Sequence, residues 1–428
     1  MHQRFVTLLG KSVRQVALMR GGGSALPGLF VETIDPQFIS RTLAKIPDGI
    51  ILVSGTNGKT TTTKMVVELL ESQGKKVFTN RTGSNFTRGV AAALLGDIDS
   101  KGNLDVDIAV LELDEAHAVH FVKAIQPRYS LLLNVMRDQL DRFGEIDMTA
   151  KLLHTIATNT TDTVVLNRDD PRLGSEAFRN GITATIRTYG VNSSLLSQFP
   201  SDDHMREVDV PTIKHYSSAS DDDTSLESLN GQTAQIRYDN IVHDISLELK
   251  GIYNVQNAVG AIAIVRTVCG PSLNQEDMLA SLAKVQPAFG RGETLTIDGS
   301  PCEIVLVKNP SGFRLSLSSF KPAGYATMIA INDDYADGRD MSWLWDVEFE
   351  SLKPEGVQMV GGIRAFDMAL RLQYDEIELS HVEPKLNDAI ASFLSQNNGK
   401  PKRIYCTYTA MLAIRRILAK QTTVEVIR

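Results

Sequence analysis

Residues 50–61 read IILVSGTNGKTT, four aliphatic residues that run into Ser54-Gly55 and then straight into Gly58-Lys59-Thr60-Thr61. This order predicts a buried strand, an anion-cradling turn and a helix N-terminus. Gly55 and Gly58 can take the backbone angles of a nest in which N–H groups converge on phosphate oxygens, and the helix dipole adds partial positive charge there. Lys59 brings a compact cation toward the β- and γ-phosphates, and Thr60 brings a hydroxyl for Mg2+. Thr56, Asn57 and Thr61 complete the loop. The position five before Gly58 is Val53, so the strict G-x-x-x-x-G-K-T spacing fails and the shorter G-T-N-G-K-T form remains. A nucleotide triphosphate, expected to be ATP, is the implied ligand.

Outward from this loop, short apolar runs at 77–79, 108–111, 131–133 and 164–166 alternate with helical stretches, the pattern of a parallel sheet covered on both faces. The segment 192–230 breaks that rhythm. It is serine-rich, contains Asp221-Asp222-Asp223 and reads as an exposed insertion. Alternation resumes in QIRYDNIVHDISLEL, which predicts a hairpin turning near Asp239-Asn240. A second αβ pattern begins after Phe289-Gly290-Arg291-Gly292, with strands expected at 302–307, 326–331, 357–360 and 403–405 and a helix at 363–372. The organisation expected is therefore an N-terminal helix and linker (1–44), a central ATP-binding domain (45–290) and a smaller α/β domain (291–428). Gly21-Gly22-Gly23-Ser24 serves as a flexible joint.

Bulk properties exclude several classes. A chain of 428 residues, 43% hydrophobic and 22% charged, is a normal globular composition that needs two or three domains. A net charge of -7 argues against nucleic acid as the main partner. Cys269, Cys302 and Cys406 lie far apart and form no C-x-x-C pair, so they read as buried residues of a reducing compartment. No run approaches the roughly 18 apolar residues of a membrane span. Residues 4–20 interleave Phe5, Val6, Leu8, Leu9, Val13, Val16 and Leu18 with Arg4, Lys11, Arg14 and Arg20, an amphipathic helix rather than a signal peptide. A cytoplasmic protein is expected, with this helix packed on the domain behind it in preference to lying on an anionic membrane.

Several polar residues follow at strand ends, where parallel sheets place their ligands. Glu112 closes IAVL, Asn134 opens N-V-M-R-D-Q-L-D, Asn167 opens N-R-D-D-P, and Gly251-Ile252-Tyr253-Asn254-Val255-Gln256-Asn257 precedes a long helix. Together with the loop and with Gly290-Arg291, these motifs resemble the Mur ligases, ATP-dependent enzymes that build the peptidoglycan stem peptide through an acyl phosphate. The resemblance covers about residues 45–428 and implies a Mur-ligase-like α/β fold: a central parallel-sheet ATPase domain with a second, smaller C-terminal α/β domain. It implies that Gly55 to Thr61 and Arg291 hold phosphate, that Thr60 and Glu112 hold Mg2+, and that Asn167, Asn254 and Asn257 contact the nucleotide. Some members carry a His where Gln139 stands and a carbamylated lysine near Lys151, which is read here as an ordinary surface lysine. Only about 50 residues precede the loop, so the family's N-terminal uridine-nucleotide domain and a soluble UDP-sugar substrate are not expected.

A narrower resemblance rests on Lys308-Asn309-Pro310-Ser311-Gly312 and on the run from Asn332 to Asp346, NDDYADGRDMSWLWD. This pair is similar to the MurT family, the Mur-ligase-like subunits of lipid II isoglutaminyl synthase. The resemblance implies amidation of the α-carboxylate of D-glutamate in lipid II, at the inner face of the membrane, with ammonia from a GatD-like glutaminase subunit. It further implies that Lys308 and Arg291 stabilise the transferring phosphoryl group or the substrate carboxylate. Asp340, or else Asp346, would complete the Cys–His pair of the partner, and Trp343 and Trp345 would pack at that interface. Many members insert a four-cysteine zinc ribbon where 192–230 has no cysteine, so no structural zinc is expected. A calcium loop is disfavoured because the bidentate Glu is missing at the required distance after Gly338. Two alternatives remain: a folylpolyglutamate-synthase-like ligase, which usually has Gly-Ser where Thr60-Thr61 stand, and a non-catalytic nucleotide-binding regulator of a glutaminase.

Overall fold

Ile50–Ser54 forms β1, in which all five residues are buried, and every further strand of its sheet is placed by pairing outward from it. The computed structural model describes residues 2–19, 26–80, 87–137, 146–199, 201, 223–287, 291–320 and 322–422, with side chains for all of these except 2–5, 17–19 and 291. The chain forms two units, residues 1–135 with 147–285, and residues 136–146 with 286–427.

In the first unit β1 is followed by β2 (Val77–Thr79), β3 (Ile108–Glu112), β4 (Tyr129–Leu132), β5 (Thr163–Asn167), β6 (Thr185–Val191), β7 (Thr224–Asn230), β8 (Thr233–Tyr238) and β9 (Ile241–Ser246). Their order across the sheet is β2-β3-β1-β4-β5-β6-β7-β8-β9. Pairing is parallel as far as β7 and antiparallel from β7 to β9. Ile51 and Val53 of β1, Val110 of β3 and Val165 of β5 pack with the helices Lys59–Ser72 and Ile252–Cys269 in one core cluster. A strand buried on both faces must be aliphatic at every position, and each such side chain contributes roughly 2 kcal/mol relative to exposure. That is why β1, β3 and β5 were readable. The expected hairpin forms at its predicted turn, with Tyr238 paired to Ile241 and positive φ at Asp239 (49°) and Asn240 (59°), the requirement of a two-residue I′ turn.

Two expectations need correction here. The insertion does not extend to residue 230: Thr224–Asn230 is β7, held between β6 and β8, and Ser193–Gln198 is a 3-10 turn, while residues 202–222 lie outside the described set. The strand β6 was missed because its first half is polar and partly exposed.

In the second unit β10 (Arg291–Ile297), β11 (Ser300–Leu306), β12 (Ala326–Ala330), β13 (Val357–Gly361), β14 (Leu379–Glu383) and β15 (Lys402–Cys406) pair in the order β10-β11-β15-β12-β13-β14. Only the β10–β11 hairpin is antiparallel. The edge strands β10 and β14 escaped the sequence reading because they are not continuously apolar. The helix expected at 363–372 is Ala365–Tyr374.

Candidate active site

The turn after β1 stands where the sheet reverses direction: β3 pairs on one side of β1 and β4 on the other, so their carboxyl ends flank it. This is the place where open parallel sheets bind ligands. Gly55 has φ +138° and Gly58 φ +88°, both conformations that a side chain disfavours. A Cβ on Gly58 would also sit 2.6 Å from Asn257 Oδ1. Glycine is thus required at Gly58 twice over. Asn134, at the end of β4, holds the turn: the Asn57 N–H donates to its Oδ1 (2.8 Å), its Nδ2 donates to Asn57 O (3.0 Å), and the Thr56 N–H donates to its backbone O (3.0 Å). Gly58 then stands at the N-cap of the helix Lys59–Ser72, and having no side chain it cannot cap the first-turn N–H groups itself.

Lys59 is only 4% exposed. Its ammonium donates to Gly55 O, to Thr56 O (3.3 Å) and to the buried Glu115 carboxylate (3.3 Å). The lysine is therefore packed within the unit. Thr60 Oγ1 donates to Glu112 Oε1 at 2.7 Å, and Asn80 fixes Glu112 through its backbone, donating to Glu112 O (2.7 Å) and accepting from Glu112 N (2.9 Å). One hydroxyl and one carboxylate side by side fit Mg2+, which binds through one or two protein oxygens and completes its octahedron with water and phosphate. Among the described residues no cluster of three or more His, Cys, Asp or Glu forms an all-protein cage. Asp114 serves instead as helix cap, accepting from Ala116 N (3.4 Å).

Asn254 and Asn257 lie at the start of the helix Ile252–Cys269, buried and joined by a 3.4 Å hydrogen bond, with Asn257 against the phosphate turn. Asn167 is buried and bonded internally, donating to Leu133 O (3.0 Å) and accepting from Asp169 N (3.1 Å). Beside it, Asp170 accepts from the N–H groups of Val135, Arg172 and Leu173. Burial pushes its carboxyl up to about 6 in spite of these donors. Asp170 caps a turn.

In the second unit, Lys308 follows β11 and Asn309 caps the helix Pro310–Ser319, accepting from Gly312 N at 2.7 Å. The acidic run follows β12. Leu306 of β11 and Ala330 of β12 both lie level with Cys406 of β15, so Lys308 and the run leave the same carboxyl edge of the sheet. Most of the run is tied into this unit. Asn332 bonds to Thr407, Thr409 and Ile363; Asp333 pairs with Arg364 (2.7 Å); Asp334 accepts from Thr409 Oγ1 (3.1 Å); Asp337 accepts from Thr409 N (2.8 Å). Burial raises the Asp337 carboxyl, against the pull of those donors. Asp346 pairs with Arg137 at 2.8 Å. Asp340 is half-buried, and its one described hydrogen bond is accepted from Ser342 N (2.9 Å) inside its own turn.

Residues 53–265 match the family model of the Mur ligase middle domain, and residues 306–411 that of the MurT ligase C-terminal domain. The chain is 31% identical to the lipid II isoglutaminyl synthase (glutamine-hydrolyzing) subunit MurT of Streptococcus pneumoniae, over 98% of this chain and 97% of that one. The chain belongs to the MurT family. The corresponding MurT of Staphylococcus aureus is 28% identical over 83% of this chain and 84% of its own. Folds agree at lower identity with MurF of Acinetobacter baumannii (TM-score 0.67, 17% identity, 91% of this chain and 80% of that chain). They agree likewise with Mycobacterium tuberculosis folylpolyglutamate synthase complexed with ADP and AMPPCP (TM-score 0.60, 18% identity, 92% and 99%).

For this member of the MurT family, Trp343 is 4% exposed and packs near Phe313, which corrects its expected place at an interface. Trp345, 48% exposed, stacks edge-on against Tyr374 (5.1 Å). Gln139 and Asp141 lie outside the described residues, and Arg137 pairs with Asp346. Gly290 and the side chain of Arg291 also lie outside them. Lys151 is exposed on the helix Ile146–Thr158, in keeping with a surface lysine. The three cysteines are buried, and burial pushes the Cys302 thiol up to about 12, far from the thiolate a nucleophile needs. Sequence reasoning missed Asn80, Asn134 as the clamp of the turn, and the Lys59–Glu115 pair. None of these has a local signal, because each partner lies far away along the chain.

Proposed function

We propose that this chain is the synthetase subunit that converts the α-carboxylate of D-glutamate in lipid II to a carboxamide, at the inner face of the membrane, with ammonia from a GatD-like glutaminase. The substrate carboxylate attacks the γ-phosphorus of ATP, ADP leaves, and an acyl phosphate remains; ammonia then adds to the acyl carbon, loses a proton and expels phosphate. The turn Gly55 to Thr61 cradles the phosphates, and Asn167, Asn254 and Asn257 belong to the nucleotide side of the site. Thr60 and Glu112 would hold Mg2+, which would neutralise charge on the phosphates. Lys308 and Arg291 neutralise the transferring phosphoryl group or orient the carboxylate, so that positioning and electrostatics supply most of the acceleration.

The observation that carries the glutaminase-linked reading is the division of labour in the acidic run. Asp333, Asp334, Asp337 and Asp346 are engaged with other elements of the unit, whereas Asp340 bonds only within its own turn. A carboxylate so held is suited to orient a histidine of a partner, as the third member of a triad does. Further along the same run, Trp345 and its ring partner Tyr374 form an exposed aromatic pair with the composition of a protein interface.

The test supplies the purified chain with ATP, Mg2+ and lipid II in detergent, with either ammonium salt or glutamine, and reads the amide by mass spectrometry. Ammonium alone should suffice, and glutamine should work only once a glutaminase subunit is added. Glutamate ligation to a folate acceptor would replace this reading by the folylpolyglutamate one. No turnover with either acceptor would make the chain a nucleotide-binding regulator.

A further inference from the structure

Fourteen large hydrophobic residues stand exposed among the described residues, and they fall mainly into two groups of different chemistry. Trp345, Ile363, Phe366, Leu370 and Tyr374 form a partly aromatic group in the second unit, interspersed with charges of both signs, Arg364, Asp367, Arg371 and Asp375. Leu8, Val16, Leu26, Leu29 and Ile34 form the other, all aliphatic and 38% to 57% exposed.

The second group lies on the helices His2–Met19 and Leu26–Ile34, which pack on each other and on the helix Thr87–Asp97. Two glycines fix which sides face inward. A Cβ on Gly10 would meet Leu95 and Val31 at 2.7 Å, and one on Gly28 would meet Arg88 O at 1.9 Å. Leu8, Ser12 and Val16 follow a spacing of four along the side of the first helix away from Gly10, and Leu26 and Leu29 lie away from Gly28 on the second. Packing on the domain therefore uses one face of each helix and leaves an aliphatic face outward.

Charge distinguishes this surface from the aromatic one. The first helix and the residues up to Arg20 carry Arg4, Lys11, Arg14 and Arg20 and neither Asp nor Glu, in a chain of net charge -7, while the second helix carries Glu32, which pairs with Arg88. Lys11, three residues from Leu8, is partly exposed next to the aliphatic row, whereas Arg14, four residues from Gly10, turns its guanidinium toward Gly96 of the helix Thr87–Asp97. Exposed aliphatics beside a cationic helix, with the one acid of the second helix already paired, fit an anionic lipid surface, where apolar burial and electrostatic attraction add. No described helix is long and apolar enough to cross a membrane, so the mode is surface lying. We infer that the outward face of the helices His2–Met19 and Leu26–Ile34 docks this chain on anionic phospholipid bilayers. This deepens the lipid-linked substrate reading, on which its biological sense rests.

The test is co-sedimentation of the full chain with vesicles of phosphatidylglycerol and phosphatidylethanolamine, against vesicles of phosphatidylcholine, without lipid II or ATP. Binding to the anionic vesicles should exceed that to the neutral ones, and should weaken about fivefold for Lys11→Gln. Leu8→Glu with Leu29→Glu should weaken it at least tenfold, with the circular dichroism spectrum and melting point kept. Because Leu8 and Leu29 are exposed, these changes should spare the fold; should the double variant nonetheless unfold, Leu26→Ser supplies the same comparison. Absence of anionic-vesicle binding, or equal binding by folded variants, overturns the inference. So does a wild-type dimer in sedimentation velocity that the Leu8→Glu, Leu29→Glu variant loses, since the face would then belong to a second copy. Amidation assayed with detergent-dispersed lipid II stands or falls independently of these outcomes.

Discussion

Replacing Asn134 with Ala should detach the phosphate turn from the sheet without touching any residue that meets phosphate. The side chain makes two hydrogen bonds to the turn, one with each backbone group of Asn57, while the bond from Thr56 N to the Asn134 carbonyl survives any substitution. At about 1 kcal/mol net for each lost bond, ordering the turn becomes about 2 kcal/mol harder. If nucleotide binding must restore that order, the dissociation constant of ADP or AMPPCP with Mg2+ rises about thirtyfold. Titration calorimetry on wild type and variant reads this directly. The melting point of the nucleotide-free protein should move little, because a turn at a sheet edge can open locally. Affinity within twofold of wild type in a folded variant would refute the clamp, and a large loss of stability with unchanged affinity would make Asn134 structural cement.

Lys59→Ala should abolish ATP turnover and also destabilise the chain by about 3 kcal/mol, because it leaves the buried Glu115 carboxylate unpaired; adding Glu115→Gln should recover the melting point but not turnover. Glu112→Gln keeps an oxygen for Thr60 and should preserve the fold while raising the Mg2+ concentration needed for half-maximal activity at least tenfold; an unchanged Mg2+ requirement would move the metal to Asp114 or Glu115. Asp340→Asn, assayed with a glutaminase subunit, should abolish glutamine-driven amidation and leave ammonia-driven amidation nearly intact, whereas equal loss with both nitrogen sources would place Asp340 in the ligase site. Asp346→Asn breaks a partly exposed ion pair worth at most about 1 kcal/mol and should spare both. Asp170, pushed up to about 6 from an ordinary 3.8, holds its proton better in the folded chain. Its contribution to stability is complete below the ordinary value and is lost as pH rises through 6. Denaturant titrations should therefore show the stability of wild type relative to Asp170→Asn falling by about 2 kcal/mol between pH 4.5 and 7.

Much of the fold was legible because it is written in adjacent residues. The aliphatic runs of β1, β3 and β5 announce strands buried on both faces, and Asp239-Asn240 tolerate the positive φ values of their turn. Strands with solvent-facing residues were harder. β14 has no fully buried residue and β6 is polar at its start, so the apolar signal is diluted by solvent.

The sequence alone determined that a strand, a glycine-bearing turn and a helix start succeed one another at residues 50–61, since backbone angles and aliphatic continuity are properties of neighbours in the chain. It likewise determined the family, through motifs each only a few residues long. Tertiary structure alone decided which groups complete the site. Asn134 reaches the turn across 77 residues, Glu115 reaches Lys59 across 56, and Asp346 pairs with Arg137 across 209. It also decided between two identical side chains. Trp343 and Trp345 sit two residues apart in one 3-10 turn, where three residues complete a circuit, so one faces the core and the other faces solvent. Burial and ion pairing depend on what the fold brings alongside, and no local spacing encodes that.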